Sequence, residues 1–263
     1  PSACGSAERL QSRVWCPRSR WIAPSPEDVI AGRRACSDTH LRGRGESSCP
    51  KHYGRYFRNE ATGRTFFWVE IPKTGSSSIK LAIRPYEVRE TNGTTTPVTE
   101  KDAEGVEAFA FVRHPVRRFL SGYGTVVGRS RRESCGPELA FLFEDKEPQR
   151  FNKFVDLFVR HGEATAQWNG GYCVPQHVFS QRWFLNLWPG KVKIFHVESF
   201  ARDLGAMADI TQLPLAVPHE NWNEGGTARC MFKQQRGALQ KLHDYFKDEM
   251  EELHYEPLSG FSR

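Results

Sequence analysis

Thr65-Phe66-Phe67-Trp68-Val69-Glu70-Ile71 runs directly into Pro72-Lys73-Thr74-Gly75-Ser76-Ser77-Ser78-Ile79, and the junction between these two runs decides the fold. The first is dense in aromatic and β-branched residues and is closed by Pro72, which predicts a first buried strand and the start of the domain proper. The second is a Gly/Ser turn from which a helix can begin at Ser77, run to Ile83 and stop near Pro85, with a short second strand over Tyr86 to Thr91. Strand, turn, helix then recurs: Ala108 to Val112 reads as a buried parallel strand, and Pro115 suits the first turn of a helix through about Val127. Gly128 to Pro137 reads as a basic loop, Phe151 to His161 as helix, Val192 to Val197 as strand, and Gln234 to Leu253 as one long amphipathic helix. Strands alternating with helices predict an α/β fold with a central, mainly parallel sheet flanked by helices and ligands at the C-terminal strand ends. Residues 1–61, rich in Arg, Ser, Gly and Pro, read as an irregular, basic, Cys-containing N-terminal extension, and residues 62–263 as the domain.

Both chemistry-bearing motifs fall at strand ends. In the first, Gly75 lets backbone approach a ligand closely and the first N–H groups of the following helix suit an anion. The hydroxyls of Thr74, Ser76, Ser77 and Ser78 can donate, and Lys73 supplies charge. The G-x-x-x-x-G-K-[ST] signature occurs nowhere in the chain, and the lysine precedes the glycine, which disfavours a nucleoside triphosphatase. In the second motif, Phe111-Val112-Arg113-His114-Pro115-Val116-Arg117-Arg118-Phe119-Leu120-Ser121-Gly122-Tyr123, Arg113 ends a strand. Ser121 lies about two turns into the next helix, so the pair can face one phosphate above the sheet edge. Arg117 and Arg118 read as solvated helix charges, and His114, ahead of a proline, as a turn residue.

Together the two motifs resemble the 5′-phosphosulfate loop and 3′-phosphate motif of sulfotransferases that use 3′-phosphoadenosine 5′-phosphosulfate (PAPS). They look most similar to the Golgi carbohydrate branch, including the heparan sulfate 2-O-sulfotransferase type. Weaker echoes lie in Val174-Pro175-Gln176, Phe195-His196-Val197-Glu198-Ser199-Phe200 and Leu242-His243-Asp244-Tyr245-Phe246-Lys247-Asp248, so the similarity spans about residues 66 to 256. The resemblance implies a P-loop nucleotide-kinase-like sulfotransferase fold, PAPS as donor, no metal, and in-line transfer of a sulfuryl group to a carbohydrate hydroxyl. It also implies that Lys73, Thr74, Gly75, Ser76, Ser77 and Ser78 bind the 5′-phosphosulfate, with Lys73 stabilising the leaving oxygen, and that Arg113 and Ser121 bind the 3′-phosphate. The catalytic base in such enzymes is a Glu after the phosphosulfate helix or a His between the motifs. Residues 79 to 112 hold no His; Glu90, after the helix and the Pro85 turn, is the nearest match to the glutamate position, with Glu87 as its alternative, and His177, beside Pro175-Gln176, is a second candidate.

A formal net charge of +6 over 263 residues favours an anionic partner, but no nucleic-acid-binding motif accompanies it, so none is expected. An anionic or neutral glycan is the expected acceptor. Protein tyrosine or a small molecule is the alternative, and a catalytically silent nucleotide- or glycan-binding homologue a further one. Arg129, Arg131 and Arg132 can grip an acidic glycan or form a solvated surface. Trp183, Phe184, Leu185, Leu187 and Trp188 read as core before they read as a sugar platform. Seven cysteines, four of them in the first fifty residues (Cys4, Cys16, Cys36 and Cys49), suit disulfides better than metal, and Asn92-Gly93-Thr94 is a glycosylation sequon. A Golgi-lumenal protein with a type II membrane anchor upstream of Pro1 fits these features; a cytoplasmic one is the alternative.

Overall fold

The computed structural model describes residues 54–88, 100–130, 132, 135, 137–162, 177–186, 188–216 and 235–258. Outside them lie most of the predicted extension, the end of the predicted second strand, the sequon, Glu90, Val174 to Gln176, Leu187 and Arg131. The described strands are β1 (Gly54–Asn59), β2 (Arg64–Val69), β3 (Glu107–Val112) and β4 (Val192–His196). The helices, in chain order, are α1 (Ser76–Ile83), α2 (Glu100–Ala103), α3 (Pro115–Arg129), α4 (Phe141–Glu144), α5 (Gln149–His161) and α6 (Gln181–Leu185). They continue with α7 (Phe200–Thr211), α8 (Arg236–Tyr245) and α9 (Lys247–Glu252).

One sheet runs β1-β2-β3-β4, with β2, β3 and β4 parallel and β1 antiparallel on the edge beside β2. The α/β architecture, a mainly parallel sheet flanked by helices, is as the strand and helix pattern predicted. The period-2 alternation of the strands divides the core between two faces. Phe67, Val69, Ala108, Ala110 and Val112 face a layer containing Phe119, Phe151, Phe154, Phe158 and Leu239. Phe66, Trp68, Phe109 and Phe111 face Ile79, Ile83, Leu204 and Met207. Trp188 stacks on Phe67 with centroids 4.5 Å apart, and Phe184 is fully buried, so these members of the aromatic stripe serve the core.

Three boundaries differ from those read in the sequence. β1 lies inside the stretch assigned to the extension, yet it pairs with β2 along six residues, and Phe57 is fully buried. Asn59 closes this hairpin: its Oδ1 accepts the Ala61 N–H at 3.0 Å, while its Nδ2 donates to the Thr211 and Gln212 carbonyls at 2.9 Å each. Two carbonyls at the C-terminal end of α7 are thereby satisfied from β1. Tyr86 belongs to a 3₁₀ turn over Arg84–Tyr86, and among the described residues the predicted strand meets the sheet at Glu87, as an isolated bridge to Phe57, and at Val88, whose N–H donates to the Tyr56 carbonyl at 3.0 Å. The predicted long C-terminal helix is two helices broken at Phe246, whose ring is buried beside Phe119 and Phe158.

Candidate functional site

Because β2 and β3 are parallel, the loops that leave them open on the same edge of the sheet. After β2 the chain turns sharply, with Lys73 at φ 72° and Gly75 at φ 78°. A lysine in this left-handed region costs about 1–2 kcal/mol relative to ordinary backbone, so the turn is held by what surrounds it. Gly75 is needed on two counts: its positive φ, and a Cβ there would meet Val197 Cγ2 at 3.2 Å. The Ser78 and Ile79 N–H groups return to the Gly75 carbonyl at 3.0 and 3.1 Å, starting α1. The N–H groups just ahead of them, at Gly75, Ser76 and Ser77, have no partner within the helix.

The three carbonyls preceding this turn are each met by a side chain. Thr74 Oγ1 donates to the Ile71 carbonyl at 2.8 Å, Arg118 Nη1 donates to the Pro72 carbonyl at 3.0 Å, and Arg113 Nη1 reaches the Lys73 carbonyl at 3.5 Å. The acceptors of the loop are thus engaged inward. The Thr74 hydroxyl is one of the groups read as a donor to an anion; its proton is committed to Ile71, which leaves its backbone N–H for that purpose. The hydroxyls of Ser76 and Ser77 take no partner among the described residues.

Arg113 therefore joins the two motifs directly. Burial lowers its pKa, with the Glu198 carboxylate opposing. Burial also holds the Lys73 ammonium below the usual lysine value, and the positive charges of Arg129 and Arg113 add to the effect. Lys73 has no carboxylate partner among the described residues. A half-buried cation flanked by two more cations, beside free backbone N–H groups, is an arrangement completed by an anion.

Against known families, residues 61–256 match the model of the sulfotransferase family. The chain belongs to that family. No curated protein and no solved structure gives a significant match.

In this sulfotransferase, Ser121 sits half-buried two turns into α3 and its hydroxyl takes no partner among the described residues. At the next residue the helix passes the His177 backbone so closely that a Cβ on Gly122 would fall 2.2 Å from the His177 carbonyl oxygen. The His177 backbone is further tied to the Lys73 loop through Arg118, whose Nη1 lies 3.4 Å from the His177 carbonyl as well as 3.0 Å from that of Pro72. Of the base candidates, then, His177 is beside the loop. Glu87 is ion-paired to Arg55 of β1, and Glu90 lies outside the described residues.

Arg118 corrects the sequence reading: it is 1% exposed and its guanidinium lies over the Phe184 ring. Its neighbour Arg117 is exposed, as expected. The signal was in the helix periodicity, since Pro115, Arg118, Gly122 and Thr125 share one buried stripe of α3. His114 is also buried; its Nε2 contacts the Glu256 carbonyl at 3.0 Å and its backbone N–H donates to Glu198 Oε1 at 2.9 Å. Glu198 in turn accepts the Tyr255 hydroxyl at 2.8 Å. Arg132 of the basic loop is ion-paired to Glu144 on the surface. Among the described residues no group of His, Cys, Asp and Glu side chains is placed to hold a metal ion, and no helix is long and apolar enough to cross a membrane.

Proposed function

We propose that this sulfotransferase moves a sulfuryl group from PAPS to a hydroxyl of a carbohydrate. The observation that carries the reading is the turn at Lys73 to Ser78: three carbonyls engaged inward, Ser76 and Ser77 hydroxyls with no partner among the described residues, helix-start N–H groups with none within the helix, and a lysine with cationic neighbours and, among the described residues, no carboxylate. Lys73 to Ser78 bind the 5′-phosphosulfate, and Arg113 with Ser121 binds the 3′-phosphate. In the transfer step the acceptor oxygen forms a bond to sulfur as the bond from sulfur to the bridging phosphate oxygen breaks. The acceptor proton passes to a base, Glu90 or His177, and the Lys73 ammonium meets the charge growing on the departing oxygen. Fixed donors act most strongly on charge that develops only in the transition state.

The carbohydrate acceptor, whether anionic or neutral, rests on the resemblance of both motifs to the Golgi branch. A lumenal, glycosylated, anchor-bearing form is part of the same proposal, supported by the sequon and by Cys135, which is disulfide-bonded. The deciding experiment supplies radiolabelled PAPS with panels of glycans, peptides and phenols. Label on a glycan is the expected result. Label only on tyrosine peptides or phenols reassigns the acceptor, and tight nucleotide binding with no transfer to any acceptor identifies a silent binding homologue.

A further inference from the structure

Arg113 stands at the point where the sheet stops. The last β3 pair is Val112 with His196, so the Arg113 backbone has lost both neighbouring strands while its N–H and C=O still need partners. Gln181 provides both. Its Oε1 accepts the Arg113 N–H at 2.9 Å and its Nε2 donates to the Arg113 carbonyl at 2.8 Å, so one side-chain amide extends the ladder by one residue.

The amide cannot turn over. Its remaining Nε2 hydrogen goes to Glu249 Oε1 at 2.8 Å, and the Gln181 backbone N–H goes to Glu249 Oε2 at 3.1 Å. Gln181 is fully buried and Glu249 is 3% exposed, so water does not compete for these contacts and a flipped amide would set two donors against one N–H. Glu249 comes from α9 and Gln181 from the start of α6, which means that two helices remote in sequence fix the register of one arginine.

We infer that Gln181 is the positioning residue for Arg113, with Glu249 locking its amide, and that this clamp sets the preference for a nucleotide bearing a 3′-phosphate. The inference rests on the reading of Arg113 as the 3′-phosphate ligand. Gln181 touches no nucleotide; it holds the backbone from which the guanidinium reaches over the Lys73 carbonyl. A structural role alone would weaken all ligands together, whereas a positioning role weakens only the 3′-phosphate contact.

The test is calorimetric titration of the protein with adenosine 3′,5′-bisphosphate and with adenosine 5′-monophosphate, the ratio of the two affinities being the readout. Gln181→Met keeps the shape and removes the hydrogen bonds. It is expected to lower the preference for the bisphosphate about tenfold while leaving the monophosphate affinity within about twofold. Glu249→Gln, which can satisfy only one of the two Gln181 donors, is expected to give a smaller loss in the same direction and carries the test if Gln181→Met does not fold. An unchanged ratio in the folded variant overturns the inference. Arg113→Ala in the same titration separates the two claims. If it abolishes the preference while Gln181→Met retains it, the clamp is refuted and the nucleotide reading stands. If Arg113→Ala itself retains the preference, the nucleotide reading falls and takes the clamp with it.

Discussion

At the scale of single residues, Lys73 and Arg118 are two cations with opposite duties. Lys73→Ala is expected to cost transfer about two to three orders of magnitude, the effect of removing one donor to a developing oxyanion, with a modest loss of nucleotide affinity; single-turnover rates beside titrations check this. Arg118→Met should leave the Pro72 and His177 carbonyls without their donor and remove the positive charge that faces buried Glu249. A destabilisation of about 3 kcal/mol is expected in urea unfolding, against less than about 0.5 for Arg117→Ala on the exposed side of the same turn. His114 supplies a pH test. Burial, chiefly, with the His243 and Arg117 charges assisting and the Glu256 carbonyl and Glu198 opposing, pushes its pKa down to about 4 from 6.5. Between those values the unfolded chain binds the proton and the folded one does not, so stability falls as pH drops through the window, by about 3 kcal/mol in full. His114→Gln should flatten that part of the stability curve, measured by unfolding at pH 7, 5.5 and 4.5.

At the scale of elements, the Lys73 loop was legible because its signal is local: a strand run, Pro72, Gly75 and three serines in nine residues. The placement of Arg113 just past a strand end and of Ser121 in the next helix was legible for the same reason, through the run around Pro115. Gln181 and Glu249 were not, since each has its meaning only through a partner 68 residues away. β1 escaped because Arg55 and Arg58 gave Gly54 to Asn59 the composition of the basic stretch before it, although the turn from Asn59 to Gly63 was a hairpin signal. Asn59 is the fastening between that hairpin and α7, and Asn59→Ala is expected to cost about 2 kcal/mol in urea unfolding, because the buried Thr211 carbonyl and the part-buried contact to Gln212 lose their donor. α3 carries a second element-scale effect. Arg129, in its last turn, lowers the Lys73 pKa, so the alkaline limb of kcat/KM should lie below 10.5 and move upward in Arg129→Ala, where the ammonium has one like charge fewer beside it.

At the scale of the whole molecule, the division of labour follows the sheet. Its interior strands are parallel and release their loops on one edge, where the loop acceptors are met by Thr74, Arg113 and Arg118 and the cationic groups converge. Its two faces carry the aromatic layers that hold those strands in place. Most of the architecture could be read from alternating strand and helix patterns. The supports of the site could not, because long-range hydrogen bonds leave no periodicity in a sequence.

The outermost strand has one more consequence. β1 occupies the whole length of the flank of β2, from Gly54 opposite Val69 to Asn59 opposite Arg64. A chain started at residue 62 would bare six residues of hydrogen-bonding backbone along Arg-Thr-Phe-Phe-Trp-Val, an aromatic ribbon with one charge. Such a ribbon recruits any strand it meets, so the shortened protein should gather into oligomers where the longer one stays dispersed.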